Sequence, residues 1–400
     1  MAPSHLSDSV ADSVADSGLP PVVDTRGRPL QEIRISVTDR CNMRCRYCMP
    51  REVFGVDYPY LPRAEVLTFE EMDRLAGLFA GLGVDKIRLT GGEPLLRREL
   101  PKLVAMLKQH VSEVALTTNG VLLAKQAAEL AAAGLDRVTV SLDALDEATF
   151  QAMSDSGYSV GDVLAGIDAA IEHNLGPVKV NTVIKRGENE QEILALVNRF
   201  APMGVATRFI EFMDVGSSNE WRHEDVVSAT EVLRIIRSEH ALLPIDPAQA
   251  SEVAKRWRLV APIAQVILDA PDTADAVDAT VTPAEQGNDM DSGLDNGLDN
   301  GLDSGLDSGE VGVIASVSEP FCGDCNRGRL SADGRFYTCL FASEGLNLLV
   351  PLRAGASDEE LSKMIQKRWT KRTDAYSEQR AATTAEREKS PRIEMSYIGG

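Results

Sequence analysis

Short β-rich runs alternate with helical patterns between Ile33 and Phe212, and this alternation constrains the fold more than any other feature of the 400-residue chain. Thr68 and Glu71 form a capping-box pattern, which predicts a helix running to about Ala80. Six successive βα units predict an α/β fold with a parallel sheet, either open or a partial barrel, and chemistry at the carboxyl ends of its strands. The predicted strands are Ile33–Val37, Lys86–Thr90, Val114–Thr118, Arg137–Leu142, Lys179–Ile184 and Thr207–Phe212.

The βα pattern ends after Phe212. Residues 213–268 are predicted to mix helices and loops, and residues 311–317 and 329–338 are predicted to form short strands. Residues 357–370 are predicted to form a helix, because Leu361, Ile365 and Trp369 fall on one side of it. The sequence therefore predicts a different organisation in the C-terminal part of the chain.

The six cysteines fall into two triplets. Three disulfides are a weak alternative in a long chain with its own core. A closed zinc site needs four N or S ligands, whereas each triplet offers three thiolates and has no His nearby. A four-iron cluster held by three thiolates keeps one iron open, and two such clusters would use every cysteine, which favours iron–sulfur clusters over zinc. The triplets are Cys41, Cys45 and Cys48, spaced C-x3-C-x2-C, and Cys322, Cys325 and Cys339, spaced C-x2-C-x13-C.

The net charge of −20 is concentrated in two segments. Residues 1–24 contain four Asp and no base, and residues 269–310 contain ten Asp, two Glu and no base. Their repetitive Asp-Ser-Val-Ala and Gly-Leu-Asp units predict a disordered tail at 1–24 and an acidic insert at about 262–310, with calcium binding as a weak alternative. A polyanion disfavours nucleic-acid binding, no apolar run is long enough to span a membrane, and the start resembles no targeting signal. A cytoplasmic location is expected by default.

Two motifs carry a resemblance to the radical S-adenosylmethionine (SAM) superfamily. The first, Cys41-Asn-Met-Arg-Cys45-Arg-Tyr-Cys48, follows the first predicted strand, and Gly91-Gly92-Glu93-Pro94 follows the second. The C-terminal stretch Phe321-Cys322-Gly-Asp-Cys325-Asn-Arg327-Gly-Arg329, with Cys339 and a terminal Gly399-Gly400, is similar to the GTP 3′,8-cyclase family, also called molybdenum cofactor biosynthesis protein A.

The resemblance implies a partial (β/α)6 TIM-type barrel over residues 25–216 and a C-terminal α+β domain over residues 217–400 that carries a second iron–sulfur cluster. It also implies two [4Fe-4S] clusters, SAM and GTP. Reductive cleavage of SAM would give a 5′-deoxyadenosyl radical that takes the 3′-hydrogen of GTP. Formation of a C3′–C8 bond would then give 3′,8-cyclo-7,8-dihydro-GTP, the first step of molybdenum cofactor biosynthesis.

The resemblance also implies roles for individual residues. The expected SAM contacts are Tyr47, Gly92, Ser141 and Met213, although core packing is the plainer interpretation of Met213. The expected catalytic residues are Arg34, Arg327, Arg329, Gly399 and Gly400. The expected GTP-binding residues are Arg34, Lys86, Arg88, Thr117, Lys179, Arg208, Arg327, Gly328 and Arg329. Arginine suits a triphosphate because its planar fork donates two hydrogen bonds to phosphate oxygens.

The alternative within the superfamily is a peptide-modifying maturase with an auxiliary cluster, but such enzymes usually carry more C-terminal cysteines. Outside it, an electron-transfer or zinc-scaffold protein would predict no SAM motifs. The expected partners are GTP, a reducing electron donor and, through the pathway, cyclic pyranopterin monophosphate synthase. A homodimer is compatible with the family.

Overall fold

The computed structural model describes residues 22–247, 251–260, 309–380 and 392–399. Within them, one sheet has the strand order β12-β11-β10-β1-β2-β3-β4-β5-β6-β9-β8-β7. The strands are β1 Glu32–Ser36, β2 Lys86–Thr90, β3 Glu113–Thr118, β4 Arg137–Ser141, β5 Lys179–Ile184, β6 Ala206–Glu211, β7 Ala241–Ile245, β8 Lys255–Val260, β9 Glu310–Ile314, β10 Arg327–Leu330, β11 Arg335–Tyr337 and β12 Leu346–Asn347.

The six predicted strands are confirmed, each within about one residue at its ends. They form β1 to β6, and all their pairings are parallel. Two strands from the C-terminal part extend this parallel series, β10 beside β1 and β9 beside β6. The C-terminal part therefore continues both sides of the βα sheet, and the predicted boundary at residue 216 falls within one continuous sheet.

Residues 213–268 differ from the prediction of helices and loops, because β7 and β8 lie there as an antiparallel pair. Their sequences carry weak strand signals, because β7 contains Pro244 and β8 reads Lys-Arg-Trp-Arg-Leu-Val with little alternation. A proline is tolerated in β7 because this strand lies at the edge of the sheet.

Helices connect the strands. The predicted capping box at Thr68 is present and starts α1, and the predicted C-terminal helix is α9. The α-helices are α1 Phe69–Gly81, α2 Leu100–Leu107, α3 Leu123–Ala132, α4 Glu147–Ser154, α5 Val160–Glu172, α6 Glu192–Phe200, α7 Ala229–Ile236, α8 Leu349–Arg353, α9 Asp358–Thr370, α10 Tyr376–Gln379 and α11 Met395–Ile398. Short 3-10 turns lie at Arg63–Glu65, Pro94–Leu96, Ala201–Met203 and His223–Asp225.

The two faces of the parallel strands differ in chemistry. On β1, Ile33 and Ile35 are fully buried in the main hydrophobic core, whereas Glu32 and Arg34 alternate with them on the opposite face. The side chains on the opposite face are also enclosed, since those of Arg34 on β1, Arg88 on β2 and Arg208 on β6 are 17%, 13% and 17% exposed. This face of the sheet therefore forms a polar, charged interior.

The predicted limits of the two acidic segments need correction. Val22 is 9% exposed and Asp24 is 6% exposed, so residues 22–24 pack against the fold and do not belong to a disordered tail. Glu310 begins β9, so the insert ends before it. The Asp-Ser-Val-Ala and Gly-Leu-Asp units themselves lie outside the described residues. In the part of the chain that is described, no helix is both long and apolar enough to cross a membrane.

Candidate active site

The first cysteine triplet lies on the loop that follows β1, and backbone contacts shape this loop. Arg44 donates from Nη1 to the carbonyls of Cys41 and Met43, at 2.8 Å each, and from Nε to the carbonyl of Phe54 at 2.8 Å. The amide of Cys48 donates to the carbonyl of Cys45 at 3.0 Å. All six cysteines of the chain are free, so the disulfide alternative is wrong.

Burial disfavours charge on these thiols. Burial, and then the charge of Glu93, raises the pKa of Cys41 to about 11. Burial and the neighbouring Cys41 raise the pKa of Cys45 well above its usual value, and burial does the same for Cys48. Among the described residues, no three His, Cys, Asp or Glu side chains are placed to hold a single metal ion. The donor set fits a cluster in which each thiolate binds a different iron and the cluster charge offsets that of the sulfurs.

The Gly-Gly-Glu-Pro motif packs directly under this loop. Gly91 has φ +140°, and a Cβ on Gly92 would lie 2.3 Å from the carbonyl oxygen of Arg40, so the close approach requires glycine. The Glu93 carboxylate accepts hydrogen bonds from the Thr118 hydroxyl at 2.7 Å and the Asn119 amide at 2.8 Å. Burial nevertheless raises the pKa of Glu93 to about 7.

The four predicted SAM residues all lie at the carboxyl ends of parallel strands. Gly92 follows β2, Ser141 is the last residue of β4 and Met213 follows β6 by two residues. The hydroxyl of Tyr47 donates to Asp143 at 2.7 Å, which joins the loop after β1 to the loop after β4. Burial raises the pKa of Asp143 to about 6. Asp143, which directly follows Ser141 and Leu142 at the end of β4, is not among the residues predicted from the sequence.

The second triplet is anchored by buried arginines. Arg28 donates to the carbonyl of Cys322 at 2.7 Å, and Arg372 donates to the carbonyl of Cys325 at 2.6 Å. The side chains of Arg28 and Arg372 are each 2% exposed and pair with the carboxylate of Asp24, at 2.6 and 3.5 Å. Asp24 lies in the segment that is predicted from the sequence to be a disordered tail, yet it forms the centre of the buried network that holds this loop.

The thiols of the second triplet have different electrostatic environments. Burial disfavours the Cys325 thiolate, but the charges of Arg327 and Arg372 outweigh it and lower the pKa to about 6. Burial and Asp374 raise the pKa of Cys339 to about 12. This set of donors also fits an iron–sulfur cluster. Two arginines, Arg327 and Arg372, lower the pKa of a thiol in this triplet, whereas in the first triplet Arg44 has a smaller effect on the pKa of Cys41.

Three predicted arginines form a row across the interior. Arg329 on β10, Arg34 on β1 and Arg88 on β2 occupy the same register. Glu32 pairs with Arg34 at 3.3 Å and with Arg88 at 3.6 Å. Arg329 is 5% exposed and its Nη1 has no hydrogen-bond partner among the described residues. Burial, together with Arg34 and Arg327, lowers its pKa well below the usual value.

The other predicted substrate-binding side chains extend the row. Lys86 pairs with Glu32 at 3.5 Å and with Glu113 at 3.3 Å, and Thr117 accepts from Arg88 at 3.3 Å. Arg208 pairs with Glu252 at 3.2 Å. Gly328 differs from the rest, since a Cβ there would meet Phe336 and Ile33 on the apolar face.

Lys179 stands out in this set. Within the described part of the chain it has no hydrogen bond or ion pair from its ammonium group. Burial, then the positive charges of Arg208 and Arg137, lowers its pKa to about 7. Arg137, Glu32 and Glu113 are not among the residues predicted from the sequence. Each is the first residue of a parallel strand, and strand alternation places each on the same face as the predicted basic residues, which is the signal that could have identified them.

The C-terminal tail reaches the carboxyl end of β2. Ile398 is fully buried, and a Cβ on Gly399 would lie 2.2 Å from Cγ2 of Thr90, the last residue of β2. Glu394 accepts from the amide of Ser217 at 3.0 Å. Gly400 lies outside the described residues.

Fold and site together define a radical SAM protein. Residues 35–200 match the radical SAM superfamily, and residues 303–378 match the family described as Molybdenum Cofactor Synthesis C. The GTP 3′,8-cyclase of Acidothermus cellulolyticus is 45% identical over 95% of this chain and 99% of its own length. That of Staphylococcus epidermidis is 41% identical over the same shares. The chain belongs to the GTP 3′,8-cyclase family.

Among solved structures, Streptococcus suis SuiB bound to S-adenosylmethionine is 18% identical, with a TM-score of 0.42 over 53% of this chain and 46% of that chain. A superposition this loose does not bear on the site.

Proposed function

We propose that this chain is a GTP 3′,8-cyclase, which joins C3′ of the ribose to C8 of the guanine within one GTP molecule in molybdenum cofactor biosynthesis. The observation that carries the proposal is the buried guanidinium of Arg329. It lacks an acidic partner among the described residues and lies in register with Arg34 and Arg88. A buried cation without a partner is costly, so this arrangement favours an anionic ligand with several charges.

Each cysteine triplet would hold one [4Fe-4S] cluster. When bound, the N-terminal cluster and SAM supply the 5′-deoxyadenosyl radical, which takes a hydrogen atom from the substrate. The chain itself positions the groups. Gly92 lets the motif after β2 approach the cysteine loop, and Tyr47 and Asp143 tie that loop to β4. Ser141 and Met213 complete the proposed SAM contacts at the same end of the sheet.

The basic interior would bind the triphosphate. Arg34, Arg88 and Arg329 offer forked donors along one register row, and phosphate oxygens would satisfy the free Nη1 of Arg329. The ligand's charge would also relieve the repulsion among these cations. Lys86, Thr117, Lys179, Arg208 and Arg327 would add donors along the interior. Held in this way, the ribose and the guanine of one molecule are oriented for ring closure.

The tail would close the site. Gly399 lies against the last residue of β2, next to the Gly-Gly-Glu-Pro motif, and the buried Ile398 anchors it. Gly399 occupies space too narrow for a side chain, and the catalytic role of Gly399 and Gly400 is part of this proposal. The electron donor, the link to cyclic pyranopterin monophosphate synthase, a homodimer and a cytoplasmic location remain predictions.

The test is anaerobic incubation of the reconstituted protein with SAM, dithionite and GTP. We expect 5′-deoxyadenosine and a cyclised nucleotide, formed only when GTP is present. Arg329→Met is expected to lower kcat/KM for GTP on the order of 100-fold. The matched control, Arg237→Met, removes an exposed arginine and is expected to leave the rate unchanged. SAM cleavage that is indifferent to GTP would refute the proposal.

A further inference from the structure

The two cysteine triplets differ in the groups that donate to their sulfurs. In the second triplet, the Ser377 hydroxyl lies 2.7 Å from Cys322 Sγ, and the Ser377 amide lies 3.3 Å from the same sulfur. In the first triplet, Cys41 Sγ receives the Met43 amide at 3.4 Å and the side-chain amide of Asn119 at 4.0 Å. No hydroxyl donates to the first triplet among the described residues.

The direction of the Ser377 hydrogen bond follows from a third contact. The amide of Phe321 donates to Ser377 Oγ at 3.0 Å. Because an amide N–H can only donate, Ser377 Oγ accepts this bond and turns its own hydrogen elsewhere. The sulfur of Cys322 at 2.7 Å is the acceptor in reach. Ser377 and Cys322 are each 7% exposed, so water does not replace either contact freely.

We propose that Ser377 tunes the reduction potential of the cluster held by Cys322, Cys325 and Cys339, by donating its hydroxyl hydrogen to the Cys322 thiolate. This inference rests on the proposed second cluster. Reduction adds negative charge to a cluster and its thiolates, and a hydrogen-bond donor stabilises that charge. Ser377 therefore raises the potential of this cluster. It is a positioning and tuning residue, since its contact is to a ligand and not to substrate.

The experiment is a redox titration of the full-length chain, followed by electron paramagnetic resonance. Cys41, Cys45 and Cys48 are replaced by Ser, so that only the C-terminal cluster contributes to the signal. Adding Ser377→Ala is expected to lower the ratio of reduced to oxidised cluster about tenfold when both proteins are poised at the parent's midpoint potential. This corresponds to a midpoint potential lower by about 59 mV for a one-electron couple.

Two matched variants separate tuning from packing. Ser377→Thr keeps the hydroxyl and is expected to keep the parent's potential. Ser316→Ala removes the hydroxyl of a second buried serine, which donates to the Ile314 carbonyl at 3.3 Å, and is expected to have no effect. An unchanged potential in Ser377→Ala, or an equal fall in Ser316→Ala, would overturn the inference.

Other outcomes identify which proposal fails. A parent protein without about four irons would overturn the second cluster itself, and the Ser377 inference with it. If Ser377→Ala cannot assemble a cluster, the parent still provides a test, because the donated hydrogen exchanges with deuterium. Electron–nuclear double resonance of the reduced parent should then show a proton coupling that is lost in D2O. The absence of any exchangeable coupling would overturn the inference.

Discussion

We expect GTP binding to depend on pH above neutrality, because Lys179 is a proposed substrate-binding residue that titrates near neutral pH. Burial and the nearby Arg208 and Arg137 lower the pKa of this lysine to about 7 in the ligand-free protein. A bound triphosphate would favour the charged ammonium and raise the pKa again. Binding of GTP should therefore take up a proton above pH 7, and the affinity should fall as the pH rises.

The size of the fall follows from linkage. At pH 7 about half of the Lys179 side chains are charged, and at pH 9 about one in a hundred are. If the complex keeps the ammonium charged throughout, the dissociation constant for GTP rises about 50-fold from pH 7 to pH 9. GTP itself adds little to this change, since its terminal phosphate loses its last proton at about pH 6 to 7.

The assay is equilibrium binding of GTP to the anaerobic, reconstituted protein between pH 7 and pH 9. Lys179→Arg keeps its charge over this range, so its affinity should change less than about twofold. Lys179→Met should bind GTP more weakly than the wild type at pH 7, and its affinity should not change appreciably between pH 7 and pH 9. Glu93, whose pKa is raised to about 7, titrates in the same range, and the arginine variant separates its effect.

A wild-type affinity that is constant between pH 7 and pH 9 would refute the reasoning about Lys179. The same pH dependence in Lys179→Arg as in the wild type would also refute it, because the titrating group would then be another residue.

Two further substitutions test the tail and the anchor of the second cysteine loop. Gly399→Ala should reduce cyclisation at least tenfold, because its methyl group would lie 2.2 Å from Thr90, whereas Gly187→Ala, which has a similar φ of +76° and open space, should not. Equal rates in the two variants would contradict the placement of the tail. Asp24→Ala leaves the buried Arg28 without its carboxylate, and Arg372 with Asp374 alone, and should lower the free energy of unfolding by about 3–5 kcal/mol in denaturant titrations. Glu378→Ala removes a partly exposed ion pair and should cost less than about 1 kcal/mol; an equal loss in both would argue against the buried network.

Local patterns in the sequence determined the six parallel strands, the capping box at Thr68 and the two cysteine triplets. Each depends on residues that are close in the chain, where side-chain periodicity and ligand spacing act directly. The alternation along β1 and β2 also determined which face Arg34 and Arg88 occupy, because side chains in a strand point alternately to opposite faces. The candidate cluster ligands and most of the basic interior could be predicted on this ground.

The tertiary structure decided which of these residues meet. Strand order places β10 beside β1, and only this order brings Arg329 into register with Arg34. The contact of Ser377 with Cys322 spans 55 residues, and that of Asp24 with Arg372 spans 348. Such contacts depend on how distant segments pack, which no local periodicity encodes. Strands β7 and β8 were not predicted for a related reason: β7 lies at the edge of the sheet, where a proline is tolerated, and β8 lies between β7 and β9 with charged residues that a locally read strand pattern does not favour.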